Sequence, residues 1–149
     1  MKTILTVLLI TELYRLSSGL KQHFFVNERK KWCSAQQHCK TYFHNETWDG
    51  ALEYCRTHYR DLASLSTKER MASALLESKE AETEYVWTGL RFLAGEWFWV
   101  TGDDLNYTAW YENEQPQCPA RDLRCGALDK QSNVWTHRDC EEKFSFFCQ

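Results

Sequence analysis

The sequence contains few of the residues that interrupt regular structure, with two prolines and six glycines among 149 residues. It has no apolar run of the roughly 20 residues that a membrane-spanning helix needs. It also has no block of lysines and arginines, and its net charge is -3. Because binding to nucleic acid requires cations that neutralise a row of phosphates, nucleic acid is not an expected partner. These absences predict a soluble chain with no membrane span.

Motifs for catalysis are missing as well. A nucleophilic enzyme needs a base within hydrogen-bond reach of its nucleophile, and its sequence often shows a nucleophile elbow. Neither that motif nor a paired carboxylate or a phosphate-cradling glycine loop is found in this chain. We therefore expect a binding protein and not an enzyme.

Residues 1–19 have the three regions of a secretory signal peptide. Lys2 supplies the charge, residues 4–10 are apolar, and small residues precede a cleavage site after Ser18 or Gly19. A buried N-terminal helix is the alternative interpretation. The signal predicts a secreted, extracellular protein.

Seven cysteines agree with an oxidising compartment, where disulfides persist. An odd number leaves at least one thiol without a partner in the same chain. Two glycosylation sequons, which begin at Asn45 and Asn106, agree with the same route.

A short segment of the chain is partly duplicated. The strand-like residues 23–28 recur as residues 41–46, and Trp32, Ala35 and Cys39 recur as Trp48, Ala51 and Cys55. A fragment of this size cannot form a stacked repeat array. We interpret residues 20–39 as a partial duplication of the domain start and residues 40–149 as the domain.

Two helices are predicted at the start of this domain. Thr47 can cap the first helix, from Trp48 to about His58, whose inward face would carry Ala51, Tyr54, Cys55 and His58. Ser66 and Glu69 have the spacing of a capping box for the second helix. The apolar stripe of that helix would consist of Met71, Ala72, Leu75 and Leu76.

The pattern beyond residue 84 is typical of strands. Short aromatic and β-branched segments are separated by glycine and aspartate, and they cover Tyr85–Leu90, Glu96–Val100, Cys125–Asp129, Val134–Thr136 and Phe144–Cys148. Two helices followed by strands indicate an α+β domain. The stretch between Trp110 and Cys125 shows neither the helical nor the strand pattern of apolar residues, and its length favours a functional loop.

An ordered set of motifs resembles the C-type lectin-like domain family over about residues 40–149. The motifs are Trp48-x-x-Ala51-x-x-x-Cys55, Asp61-Leu62-Ala63, Trp87-x-Gly89-Leu90, Trp97-x-Trp99-x-x-Gly102, Trp110, a proline-centred tripeptide and the cysteines Cys125, Cys140 and Cys148. The resemblance implies two helices, short antiparallel sheets and a long loop, with disulfides Cys55–Cys148 and Cys125–Cys140.

The remaining cysteines are less determined. Cys33 and Cys39 resemble the extra N-terminal pair of the family's longer form, but helical spacing would place them about 9 Å apart along the axis, so their bond stays open. Cys118 is then alone, either as a link between two chains or as a capped or buried thiol. Cys33, His38, Cys39 and His44 could also bind zinc, but disulfides compete for these thiols and no metal is expected.

In sugar-binding members of the family, calcium is held by side-chain oxygens and itself coordinates sugar hydroxyls. The positions that would hold it are here Gln115, Pro116 and Gln117, then Leu123, then Thr136 and His137. Asp122 lies one residue from the acidic position, and a shift of one place on a strand turns a side chain to the opposite face. Because calcium gains most from carboxylates, we expect no useful calcium affinity at this site.

The same resemblance implies a cis bond before Pro116, although trans is the statistical default. Aromatic residues at strand spacing are usually core, so Trp87, Trp97, Trp99, Trp110 and Trp135 are expected inside. We predict a carbohydrate-binding module that uses Gln115, Gln117 and Asp122 without calcium. The alternative is a protein-interaction module whose loop docks a partner or its own copy.

Overall fold

The computed structural model describes the backbone of residues 40–149 and the side chains from Asn45 onward. Residues 1–39 lie outside it, so the signal peptide, the partial duplication and the Cys33–Cys39 bond are not addressed by the structure. No helix in the described part of the chain is long and apolar enough to cross a membrane.

The described residues form two helices and six strands in the order expected for an α+β domain. Strand β1 covers Lys40–Glu46, and the helices are α1, Trp48–His58, and α2, Lys68–Glu77. The other strands are β2, Tyr85–Leu93; β3, Glu96–Trp99; β4, Cys125–Asp129; β5, Val134–Arg138; and β6, Phe144–Cys148. Short 3-10 helices cover Ser78–Glu80 and Tyr111–Asn113.

One sheet contains all six strands. Its order is β1-β6-β2-β4-β5, and β3 pairs with β2 beside this path. The pairings are antiparallel except for β2 with β6, which is parallel. The α+β class is therefore confirmed, and the sheet is mixed.

Helix α1 begins as predicted, because the Thr47 side chain accepts a hydrogen bond from the backbone N–H of Gly50 at 3.2 Å. Ala51 and Cys55 are buried. His58, which was expected on the inward face, is exposed. Its ring stacks on that of Tyr54, one turn earlier in the helix, with 4.3 Å between centroids.

Helix α2 differs from the prediction at its first residue. Its N-cap is Thr67, whose side chain accepts from the Arg70 N–H at 3.2 Å. Ser66 is not the cap, since its hydroxyl accepts instead from Arg70 Nη1 at 3.0 Å. The predicted capping box of Ser66 and Glu69 is therefore wrong, because Ser66 lies one residue before the N-cap, Thr67.

The apolar stripe of α2 is also rotated from the prediction. Met71 and Ala74 are buried and Leu75 is partly buried. Ala72 is exposed and Leu76 is 66% exposed, so these two were assigned to the wrong face. A single apolar pattern could not distinguish adjacent faces of so short a helix.

The core lies on both sides of β2. Trp87, Trp97, Trp99, Trp110 and Trp135 are all at most 5% exposed, so the assignment of the tryptophans to the core is confirmed. Gly89 in β2 explains one of the motifs, because a Cβ atom there would come within 2.6 Å of the Leu62 carbonyl oxygen. The chain between α1 and α2 can approach the sheet this closely only where β2 has no side chain.

Candidate functional site

The candidate site is the long loop between Trp110 and β4, together with the neighbouring strand β5. Trp110 holds the start of the loop in place, since it is buried and forms a bridge with Trp135 of β5. The Trp135 N–H donates to the Ala109 carbonyl at 2.7 Å. The beginning of the loop is thus joined to β5 by backbone contacts.

A second contact holds the middle of the loop. The indole Nε1 of Trp97 donates to the Pro116 carbonyl oxygen at 2.9 Å. Trp97 packs against Trp110 with 4.9 Å between ring centroids, and Trp110 packs edge-on against Trp135 at 5.8 Å. A chain of contacts through these three rings therefore runs from Pro116 to Trp135, the residue before Thr136.

The peptide bond before Pro116 is trans, so the expected cis bond is wrong. The loop instead reverses direction at three residues in the left-handed region. These are Glu112, Asn113 and Cys118, with φ angles of 52°, 58° and 45°. Because these residues provide the bends, the chain can keep the default isomer at the proline.

Gln115 and Gln117 are exposed on this loop, and Gln117 Nε2 donates to the Gln115 carbonyl oxygen at 3.2 Å. This bond uses one of the two amide donors of Gln117 and leaves the amide oxygen for a ligand. The Gln115 side chain also faces solvent. Both amides are therefore placed where a polar ligand can reach them.

Asp122 is exposed near the end of the loop, and its backbone carbonyl accepts from the Cys140 N–H at 3.1 Å. The neighbouring Leu123 closes a turn by donating its N–H to the Ala120 carbonyl at 2.9 Å. Asp122 is therefore held beside the Cys125–Cys140 disulfide by its backbone, with its side chain at the surface.

Thr136 and His137 are half-buried residues of β5, opposite Ala127 and Gly126 of β4. Burial lowers the pKa of His137, and the adjacent positive charge of Arg138 lowers it further. Arg138 is itself paired with Glu142, with 2.5 Å between Nη2 and Oε1. His137 is thus favoured as a neutral ring near neutral pH and offers one nitrogen donor and one nitrogen acceptor.

These side chains do not fit a calcium ion. The oxygen donors at the tripeptide and on β5 are neutral amides and a hydroxyl, and the β5 pair also includes an imidazole. Among the side chains that the structure describes, no group of three or more histidines, cysteines, aspartates or glutamates is placed to hold a metal ion. Because a hard dication needs carboxylate oxygens, the donor set disagrees with the ion that the family's sugar-binding members use.

Tyr111 is an exposed residue of the long loop that the sequence analysis did not single out. It is 61% exposed, next to the buried Trp110, and forms the first residue of a 3-10 helix at the start of the loop. The adjacent aromatics Trp110 and Tyr111 look alike in an apolar pattern. Only the packing of Trp110 on Trp135 shows which one faces solvent.

The two disulfides that the resemblance implied, Cys55–Cys148 and Cys125–Cys140, are both formed. Cys118 is a free, exposed thiol on the long loop. Both sequon asparagines, Asn45 and Asn106, are also exposed.

Comparison with known proteins agrees with this geometry. The sequence model of the family described as "Lectin C-type domain" matches residues 44–149. Dromaiocalcin-1 of Dromaius novaehollandiae is 34% identical over 130 residues, which cover 80% of this chain and 88% of that protein. One chain of the snaclec coagulation factor IX/factor X-binding protein of Echis carinatus is 29% identical over 124 residues, which cover 79% of this chain and 93% of that one.

Among solved structures, human lithostathine superposes with a TM-score of 0.64 at 27% identity. The match covers 74% of this chain and 88% of lithostathine. The family model spans well over half of the sequence, and its match includes both disulfides, the tryptophan core and the long loop. This chain therefore belongs to the family of the C-type lectin domain.

Proposed function

We propose that this domain is a secreted recognition module that binds carbohydrate through its long loop, without calcium and without catalysis. The observation that carries the proposal is the exposed ring of Tyr111 on the same loop as the exposed amides of Gln115 and Gln117. A sugar presents both apolar C–H faces and hydroxyl groups. A tyrosine ring offers an apolar face, and amides both donate and accept hydrogen bonds.

The loop is also held in a defined position before any ligand arrives. Pro116 is bonded to Trp97, and Asp122 to the backbone of Cys140. A ligand that meets a pre-positioned surface loses less free energy in ordering it. This supports recognition by Tyr111, Gln115 and Gln117 without an ion to organise them.

Calcium titration tests one half of the proposal. Since the tripeptide and β5 positions provide no carboxylate, calorimetry should show no calcium affinity tighter than about 1 mM, the weak end of extracellular sites. Glycan binding should be the same with chelator present. A calcium affinity tighter than millimolar would contradict the proposal.

A glycan array with matched variants tests the other half. Tyr111→Ala and the double change of Gln115→Ala with Gln117→Ala should each weaken binding by about tenfold, which corresponds to about 1.4 kcal/mol. Tyr59→Ala is the matched tyrosine control, because Tyr59 is 39% exposed and directly follows α1, outside the loop. Equal glycan binding by the Tyr111 and Tyr59 variants would exclude the Tyr111 ring from the binding site.

A protein-interaction module is the second candidate. It is favoured by the exposed thiol of Cys118 on the same loop and by the relative whose name describes a coagulation factor IX/factor X-binding protein. Exposed tyrosines are also common at the centres of protein interfaces. This candidate would be favoured over the first if the protein binds no glycan on the array but binds a protein partner, and if Tyr111→Ala abolishes that binding. A single monomer band on non-reducing gels would exclude a link between chains through Cys118.

A further inference from the structure

The two disulfides lie in the same buried cluster but differ in their polar contacts. In the part of the chain that the structure describes, Cys55 Sγ is 3.8 Å from the Phe147 carbonyl oxygen. The Cys125–Cys140 bond is in contact with an arginine. Arg91 Nη1 is 2.7 Å from Cys125 Sγ and 3.3 Å from Cys140 Sγ.

Several contacts keep the Arg91 guanidinium at these sulfurs. Arg91 is opposite Cys125 in the pairing of β2 with β4. Its guanidinium carbon lies 4.6 Å from the centre of the Trp48 ring, and Nη1 is 3.9 Å from an Asp49 carboxylate oxygen. The arginine is thus held between the Trp48 ring and the disulfide, with its cationic group over the face of the ring.

A neighbouring cation stabilises a thiolate, and a disulfide opens faster when the sulfur that leaves is a more stable thiolate. Arg91 is closer to Cys125 than to Cys140. Cys140 is the more exposed of the two, at 9%, whereas Cys125 is fully buried. Both differences favour attack on Cys140 and departure of Cys125.

We infer that Cys140 is a site of mixed-disulfide modification by low-molecular-mass thiols, with Arg91 as the group that stabilises the departing Cys125 thiolate. In the step, an attacking thiol loses its proton to solvent, and its sulfur bonds to Cys140 Sγ. The Cys125–Cys140 bond breaks, and its electron pair stays on Cys125 Sγ beside Arg91. A second small-molecule thiolate can then attack the sulfur of the thiol that is bonded to Cys140. This attack releases Cys140 as a thiolate and the two small thiols as a symmetrical disulfide.

This modification would affect the long loop between Trp110 and β4. The Cys140 N–H donates to Asp122 at the end of the loop, and the Cys140 carbonyl accepts from the Trp48 N–H at 3.0 Å. Opening of the bond therefore removes the covalent support of these two contacts while the longer disulfide still closes the domain. The consequence is a loop whose order depends on the thiol concentration around the protein.

The test treats the full-length secreted protein with glutathione for increasing times, blocks free thiols with an alkylating agent and maps peptides by mass spectrometry. Glutathione should appear on Cys140, and the alkyl group on Cys125, before either Cys55 or Cys148 is modified. Glutathione mainly on Cys125, or opening of Cys55–Cys148 at the same rate or earlier, would overturn the inference. This measurement needs no substitution, so it does not depend on whether a variant folds.

Variants then test the role of the cation. Arg91→Gln should slow the opening of Cys125–Cys140 about three- to tenfold, as expected when a leaving thiol loses a stabilising charge. Arg91→Lys keeps the charge and should restore most of the rate. Arg56→Gln is the matched control, since Arg56 is an exposed arginine next to Cys55 and paired with Asp61, and its loss should leave the rate unchanged. An unchanged or faster rate in a folded Arg91→Gln protein would exclude Arg91 as the stabilising group.

Discussion

Arg70 and Asp103 join the first turn of α2 to the loop that follows β3. Arg70 Nη1 lies 2.7 Å from Asp103 Oδ2 and also contacts the hydroxyls of Ser64 and Ser66. Thr101 Oγ1 donates to the same carboxylate oxygen at 2.9 Å. Burial raises the pKa of Asp103, but hydrogen bonds from Ser64, Arg70 and Thr101 outweigh it, and the pKa of Asp103 is lowered from its ordinary value.

A lowered carboxyl pKa gives the Asp103 network a definite pH dependence. Its stabilisation is fully present above the ordinary aspartate pKa of about 3.9, and it is lost as the pH falls through the lower pKa of the folded state. Asp103→Asn should therefore reduce the free energy of unfolding by about 1 kcal/mol at pH 7 and by less at pH 3. Urea unfolding at the two pH values measures both.

The neighbouring Asp104 provides the control for this change, because it is exposed and has the same charge. Asp104→Asn should change the free energy of unfolding by less than about 0.5 kcal/mol at either pH. Equal effects of the two substitutions would show that net charge, and not the contacts of Asp103, is responsible.

The exposure of Tyr111 is a property of a single residue that the sequence does not predict. Its exposure follows from contacts that Trp110 makes with Trp97 and Trp135, which are distant in sequence. No pattern within the loop itself contains that information. By contrast, the Thr47 cap was predictable, since a cap depends on residues within one turn of each other.

At the scale of elements, the start of α2 shows how competing caps are resolved. Thr67 and Ser66 are both good caps by residue type. The Arg70 side chain donates hydrogen bonds to both the Ser66 hydroxyl and the Asp103 carboxylate. The Thr67 hydroxyl instead accepts from the backbone N–H of Arg70 and caps the helix. The start of the helix is thus decided by a contact with a loop more than 30 residues away.

Two substitutions separate these roles. Thr67→Ala should lower the free energy of unfolding by about 1 kcal/mol, the usual cost of a lost N-cap. Ser66→Ala removes one partly exposed hydrogen bond and should cost less, about 0.5 kcal/mol. Thermal or urea unfolding distinguishes them, and a larger effect at Ser66 would mean that its contact with Arg70 contributes more than the N-cap does.

At the scale of the whole molecule, the Cys55–Cys148 disulfide closes 93 residues and joins α1 to the last strand. The Cys125–Cys140 bond closes only 15 residues, between β4 and the turn after β5. In the chain-entropy description, the longer loop restricts the unfolded chain more. The longer disulfide is therefore the main covalent support of the domain.

Paired substitutions of each disulfide to alanine test this ranking. Loss of Cys55–Cys148 should cost about 4 to 5 kcal/mol, and loss of Cys125–Cys140 about 3 kcal/mol. Urea unfolding of the two double variants provides the comparison. The reverse order would mean that native contacts such as that of Arg91 with Cys125 outweigh the entropy of loop closure.

The sequence by itself determined the α+β class, the limits of α1 and the approximate positions of β2 to β6. These depend on local periodicity, which residues close in sequence express. The tertiary structure alone decided the cap of α2, the exposure of Tyr111 and the contact of Arg91 with one disulfide. Each of these is set by packing or hydrogen bonding between segments far apart in the chain, and such contacts leave no local pattern.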